Sequence, residues 1–273
     1  MTSSLLLASA LAWGIPFSAT QHGDESYLGL IEKIDGQPVW VRAAFKRERR
    51  EDWTPTIALE KDHGPGNLAA AARALPGRIT WRACRDGRSL GTIISERRLF
   101  QLSAELGTHA LRSAPAFVAG APDDERFRVI MTDTAASRPF VVSTARDACA
   151  IGRSVHRGDT EAVARVVRLV LAQRNLHTGK PNRLMEASGW QAGDWTIVEV
   201  MLEEEGSWLT VVAFATADDI RYTVKAARVV DWISADEDGV PDVVLWIDGN
   251  NRSGYMLVYG NFEKHAEFDW QYR

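Results

Sequence analysis

WTIVEVML at 195–202, EEEG at 203–206 and SWLTVVAFA at 207–215 decide the fold of this chain. Both apolar runs have strand character, and the Glu205-Gly206 turn between them leaves room only for an antiparallel return. The pattern continues: 222–232, 242–246, 255–259 and 268–272 are also strand-like. Asp218-Asp219, Asp238-Gly239, Gly249-Asn250 and Gly260-Asn261 punctuate them as turns. The expectation is an antiparallel meander of five or six strands over the C-terminal half.

Immediately before this meander, Val163, Val166, Val167, Val170 and Leu171 recur at helical spacing, with Arg165 and Arg168 on the opposite side. A helix is predicted over 160–175, capped by Asp159 or Thr160, with Glu161 and Arg174 matched to its dipole. His177-Thr178-Gly179-Lys180-Pro181 ends it. The first half reads as short strands: 38–45, 54–59, 127–132 and 139–143. Its clearest hairpin joins 78–84 to 90–95 through Asp86-Gly87. Short helices are expected at 67–75 and 97–106, and a loop at 112–126, where Pro115, Gly120 and Pro122 fall. The predicted fold class is α+β: a C-terminal antiparallel meander with one major helix, and a β-rich N-terminal portion. A boundary in the polar stretch 148–159 would divide a region 21–150 from a region 151–273, and one continuous domain is the alternative.

The chain has 273 residues, enough for one large domain or two ordinary ones. Hydrophobic residues at 45% and charged residues at 25% describe a folded protein. A net charge of -4 gives no electrostatic case for a nucleic-acid partner. The basic run Lys46-Arg47-Glu48-Arg49-Arg50 is interrupted by its own Glu and reads as a solvated turn or edge. Tryptophan is abundant, with ten copies, several inside strand-like runs where an indole packs a sheet face. An exposed ring could instead stack on a sugar, and sequence does not distinguish the two.

Residues 1–21 carry no charged side chain, and LLLASALA at 5–12 precedes Gly14, Pro16 and a run of small residues. This layout resembles a secretory signal peptide, here 1–20, and implies an extracytoplasmic, periplasmic or secreted protein. No later stretch is long and apolar enough for an integral membrane span. In an oxidising compartment Cys84 and Cys149 could close one disulfide across a long loop; in the cytosol they would be two isolated thiols.

The strongest chemical signal is SADEDGVPDVVL at 234–245. Alternating acidic residues around a glycine turn gather oxygens, the ligands a hard cation needs. The segment resembles the D-x-D-x-D-G-x-x-D-L-V loops of FG-GAP-type calcium-binding repeats, and it occurs once. The resemblance implies one Ca2+ ion held by Asp236, Asp238 and Asp242 and the Val240 carbonyl, with Ser234 at a first position that is normally acidic. Leu245 falls where an EF-hand carries its bidentate Glu, so an EF-hand is excluded. The other reading is a surface turn with carboxylates facing water and Asp242 opening a strand. From this loop to Trp270-Gln271-Tyr272 the chain also resembles the tail of exported bacterial proteins without an assigned activity.

Common catalytic signatures are missing. His22, His63, His109, His156, His177 and His265 include no i, i+4 pair, and no G-x-S-x-G or phosphate-binding glycine motif occurs. Glu203-Glu204-Glu205, with Glu199 nearby, could serve glycosidase chemistry, but a charged hairpin tip more often protects a sheet edge. The resulting expectation is an exported, non-enzymatic binding or interaction protein with a protein or glycan partner, steadied by one calcium ion. The alternative class is a hydrolase built from dispersed residues.

Overall fold

The computed structural model describes residues 25–32, 40–49, 51–56, 76–98, 116–119, 140–151, 155–158, 160–204, 206–217, 219–249 and 252–271. The leader-like segment, the predicted helix at 67–75 and the predicted strand at 127–132 lie outside them. Within them the chain is mostly antiparallel β-sheet with one α-helix.

Seven strands come from the first half: β1 (Glu25–Glu32), β2 (Trp40–Glu48), β3 (Thr54–Pro55), β4 (Arg78–Arg85), β5 (Arg88–Arg98), β6 (Ala116–Ala119) and β7 (Phe140–Ser143). Their order is β1-β7-β4-β5-β6-β2-β3, and β1 also pairs with β2. That extra pairing closes strands β1, β7, β4, β5, β6 and β2 into a ring, so the sheet is a small barrel. Asp86 and Gly87, with φ of 48° and 70°, make the tight β4–β5 turn the sequence announces. Two expectations fail here. β5 runs through Arg97 and Arg98, where a helix start was expected, because the hairpin and β6 extend its pairing. The loop expected at 112–126 contains β6, whose short AFVA run gains strand structure from β5 and β2 on either side.

The second half builds two sheets. The outer one contains β8 (Val155–Arg157), β9 (Arg183–Ala192), β10 (Trp195–Glu204), β11 (Ser207–Thr216) and β12 (Asp219–Lys225), in the order β12-β11-β10-β9-β8. The middle one contains β13 (Ala227–Ile233), β14 (Asp242–Gly249), β15 (Arg252–Tyr259) and β16 (Lys264–Gln271) in sequence order. The single run expected at 222–232 is therefore two strands. Ala226, at φ 52°, breaks it, and the chain changes sheets there.

The layers stack as barrel, middle sheet, outer sheet and helix. Alternate residues of the middle sheet face opposite ways: Val244, Tyr255 and Leu257 pack with Leu28, Leu30 and Phe45 of the barrel. Val243, Leu245, Met256 and Val258 pack with Trp190, Ile197 and Phe214 of the outer sheet. A strand covered on both faces needs apolar residues at every position, which accounts for the unbroken VVLW of β14. Tyr27, Ile31, Trp81 and Ile93 form the barrel's own core.

Helix α1 (Glu161–Thr178) lies on the far face of the outer sheet, burying Val163, Val166, Val167 and Val170 against Val198, Val200 and Val211. Full burial of each such side chain stabilises by about 1.5–3 kcal/mol. Thr160 caps its start by accepting from the Val163 N–H at 3.2 Å. The helix runs past the expected 175 to Thr178, because Gly179 closes it in the left-handed conformation by donating to the Asn175 carbonyl. Contact with β9 is close: a Cβ on Gly189 would sit 2.4 Å from Val163 Cγ1.

Candidate functional site

The acidic loop lies at the seam between barrel and middle sheet, and its oxygens face protein donors. Asp236 Oδ1 accepts from Arg47 Nη1 at 2.5 Å and from Trp53 Nε1 at 2.9 Å. The Arg47 guanidinium also rests 5.1 Å from the centre of the Trp53 ring. Arg47 is thus buried, not the solvated edge residue its basic run suggests; alternation along β2 turns it inward while Lys46 and Glu48 remain outside. Asp242 Oδ2 accepts from the Ala235 N–H at 2.8 Å, and Asp238 Oδ1 from the Val240 N–H at 2.8 Å. Ser234 is fully buried, with its hydroxyl accepting from the Gly239 N–H at 3.3 Å. Burial, and then the neighbouring Asp236 carboxylate, raise the Asp242 pKa well above the ordinary carboxylate range.

These bonds tie four segments together. Glu237 Oε1 accepts from the Arg146 N–H at 2.8 Å, and the Ser234 N–H donates to the Ala148 carbonyl at 2.8 Å. The segment so held carries Cys149, which is disulfide-bonded to Cys84 on β4 across 65 residues. A loop of that length corresponds to about 4 kcal/mol in the chain-entropy account. A β-bulge in β13 adds a further link: Asp231 Oδ1 accepts from the Asp86 N–H of the barrel hairpin at 2.8 Å and from the Trp232 N–H at 2.7 Å. Desolvation pushes its pKa up to about 7, partly offset by these two donors.

Asp236, Asp238 and Asp242 therefore each serve different protein partners. Among the described residues no group of three or more His, Cys, Asp or Glu side chains is placed to hold a metal ion. A cation at Ser234, Asp236, Asp238, Val240 and Asp242 would share these carboxylates with the protein donors that already engage an oxygen of each. As it stands, the arrangement is an internal clasp. The glutamates of the hairpin tip are likewise divided. Glu199 accepts from the Val229 N–H, Glu204 takes both carboxylate oxygens to Arg174 Nη2 at 2.6 Å, and Glu203 lies 3.8 Å from Arg183. The described histidines, His156, His177 and His265, are exposed on separate elements. An open groove of about 180 Å³ beside α1 has Val170 and Val211 at its floor and Arg174 and Lys225 on its rim. Its volume is below the roughly 300–1,000 Å³ typical of ligand pockets.

One feature of the surface stands apart from this internal bonding. The exposed large apolar side chains of the described residues are Leu176, Leu184, Met185 and Trp208, all at the end of the helix–sheet layer where α1 stops and β9 starts. Trp53, Trp81, Trp190, Trp195 and Trp232 are buried and Trp246 is half-buried, whereas Trp208 is 67% exposed. Tryptophan count pointed to aromatic faces in general; the layer stacking is what leaves the Trp208 ring open. The molecule is a layered, disulfide-tied β protein with the Trp208 ring open at the end of its outer sheet. No family model, curated protein or solved structure matches the chain.

Proposed function

We propose that this chain is an exported, non-enzymatic binding protein that engages its partner through the free end of the outer sheet, at Trp208. The observation that carries the reading is the 67% exposure of that indole, in a fold that buries Trp53, Trp81, Trp190, Trp195 and Trp232. Tryptophan is among the side chains most enriched at the energetic centres of interaction surfaces. The Cys84–Cys149 disulfide supports action in an oxidising compartment. In this reading the clasp at 234–242 is structural: it holds the barrel and the sheets as one body behind the binding end.

Co-sedimentation with cell-envelope material from the organism that makes the protein tests the binding reading. Wild type is expected in the pellet and Trp208→Ala in the supernatant, with an unchanged melting temperature because the ring packs little. Equal sedimentation of the two would refute the assignment. Alkylation of protein recovered from that organism tests the compartment: Cys84 and Cys149 are expected to react only after reduction.

A further inference from the structure

Trp208 belongs to a row of side chains whose chemistry names a ligand. On β11 it stands directly opposite Glu203 of β10, which stands directly opposite Arg183 of β9. Directly opposed residues of antiparallel strands project from the same face. The next row on that face is Thr210, Met201 and Glu186. The middle sheet engages this face one row further in, where Glu199 accepts from the Val229 N–H. These two rows span three strands and about 10 Å at the usual strand spacing, with Trp208, Arg183 and Glu186 exposed and Glu203, Met201 and Thr210 partly so.

Three properties of this surface combine. It carries a flat apolar ring, 67% exposed. Beside the ring, Arg183 and Glu203 approach at 3.8 Å, with side chains 76% and 40% exposed, too far apart to satisfy one another's hydrogen bonds. Their charges nearly cancel, and Glu186 leaves the face slightly acidic. A ligand complementary to it presents an apolar plane and many hydroxyl groups and carries no negative charge. An anionic bilayer meets Glu203 and Glu186 as like charges.

We infer that the Trp208–Glu203–Arg183 row binds a neutral glycan of gluco-configured pyranoses, one sugar stacked on the indole and its neighbour hydrogen-bonded by the Arg–Glu couple. The equatorial hydroxyls of such a sugar leave a flat face of C–H groups for the ring. The hydroxyls at its edge meet charged donors and acceptors, which make the stronger hydrogen bonds. The inference rests on the binding reading above and specifies its partner.

The test is calorimetric titration of the full oxidised chain with cellotetraose, chitotetraose and, as an α-linked comparator, maltotetraose. Binding of at least one of the three is expected at micromolar to millimolar affinity. Trp208→Ala should abolish the heat, Trp208→Tyr should retain part of it, and Glu203→Gln should weaken binding several-fold. Preference between cellotetraose and chitotetraose separates glucose chains from N-acetylglucosamine chains as the source. Absence of heat from all three sugars overturns the glycan assignment. If envelope binding still depends on Trp208 in that case, only the ligand class is wrong. Trp208-dependent flotation with phosphatidylglycerol-containing vesicles, or a Trp208-dependent dimer in sedimentation velocity, would overturn it in favour of a lipid surface or a second copy.

Discussion

Asp236→Ala should open the seam between barrel and middle sheet, and its cost follows from what it leaves behind. The substitution strands the Arg47 guanidinium, whose side chain is 8% exposed, and the Trp53 indole N–H. Removing one partner of a buried ion pair costs about 3–5 kcal/mol. Asp236 itself is 20% exposed, so water reaching the vacated space places the loss near the lower end of that range. The unmatched indole N–H adds about 1 kcal/mol. A total of about 3–4 kcal/mol corresponds to a fall in Tm of roughly 10 °C for a chain of this size. Thermal unfolding by calorimetry, with the disulfide intact, reads it directly. Adding Arg47→Met should recover part of the loss, since methionine removes the stranded charge and packs on the Trp53 ring. A melt within about 1 °C of wild type for Asp236→Ala, or strictly additive losses in the double variant, would show that the pair holds nothing together.

Three further outcomes follow from the same geometry. Asp231 titrates near 7 in the folded chain and near 3.9 unfolded, so between those values the folded state holds a proton the unfolded state lacks. Stability should therefore rise as pH falls from 8 to 5, and Asp231→Asn should flatten this rise without abolishing it, because the Asp242 pKa is raised in the same direction; melting curves across that range check the sign. Gly189→Ala should lower stability by about 1–3 kcal/mol, because the new Cβ falls 2.4 Å from a branched, stiff Val163, and Val163→Ala in the same chain should restore part of it in denaturant titrations. Because Asp236, Asp238 and Asp242 already serve protein donors, millimolar calcium should leave the Tm where EDTA leaves it; a calcium-dependent rise that Asp238→Ala abolishes would place an ion at the loop.

What could be read in advance was local. The valine stripe on α1, the Asp86-Gly87 turn and the alternating runs with their short turns each depend on residues within a few positions of one another. Those features determined one helix, antiparallel pairing and a β-rich chain, and they would do so in any context. The errors came where partners are distant in sequence. Arg47 read as a solvated cation because its ion-pair partner is 189 residues away. The break at Ala226 went unseen because the run 222–232 keeps strand character on both sides of it; each half satisfies a different sheet, and composition does not record which. β6 carries too short a run to declare itself and exists through its two neighbours.

The acidic loop shows the same division from the functional side. Asp238-Gly239 makes a tight turn for local reasons, and the sequence alone determined that oxygens would collect there. Whether they face a cation, water or the rest of the protein depends on what the barrel brings to the seam, and it brings Arg47, Trp53 and the Cys149 segment. Ten tryptophans likewise determined that aromatic surface would be abundant. Tertiary structure alone decided that Trp208 stays open, at the end of the outer sheet beyond the row where Glu199 meets β13. Burial is a property of the layers a residue ends up between, and those layers are assembled from contacts that no local window of sequence contains.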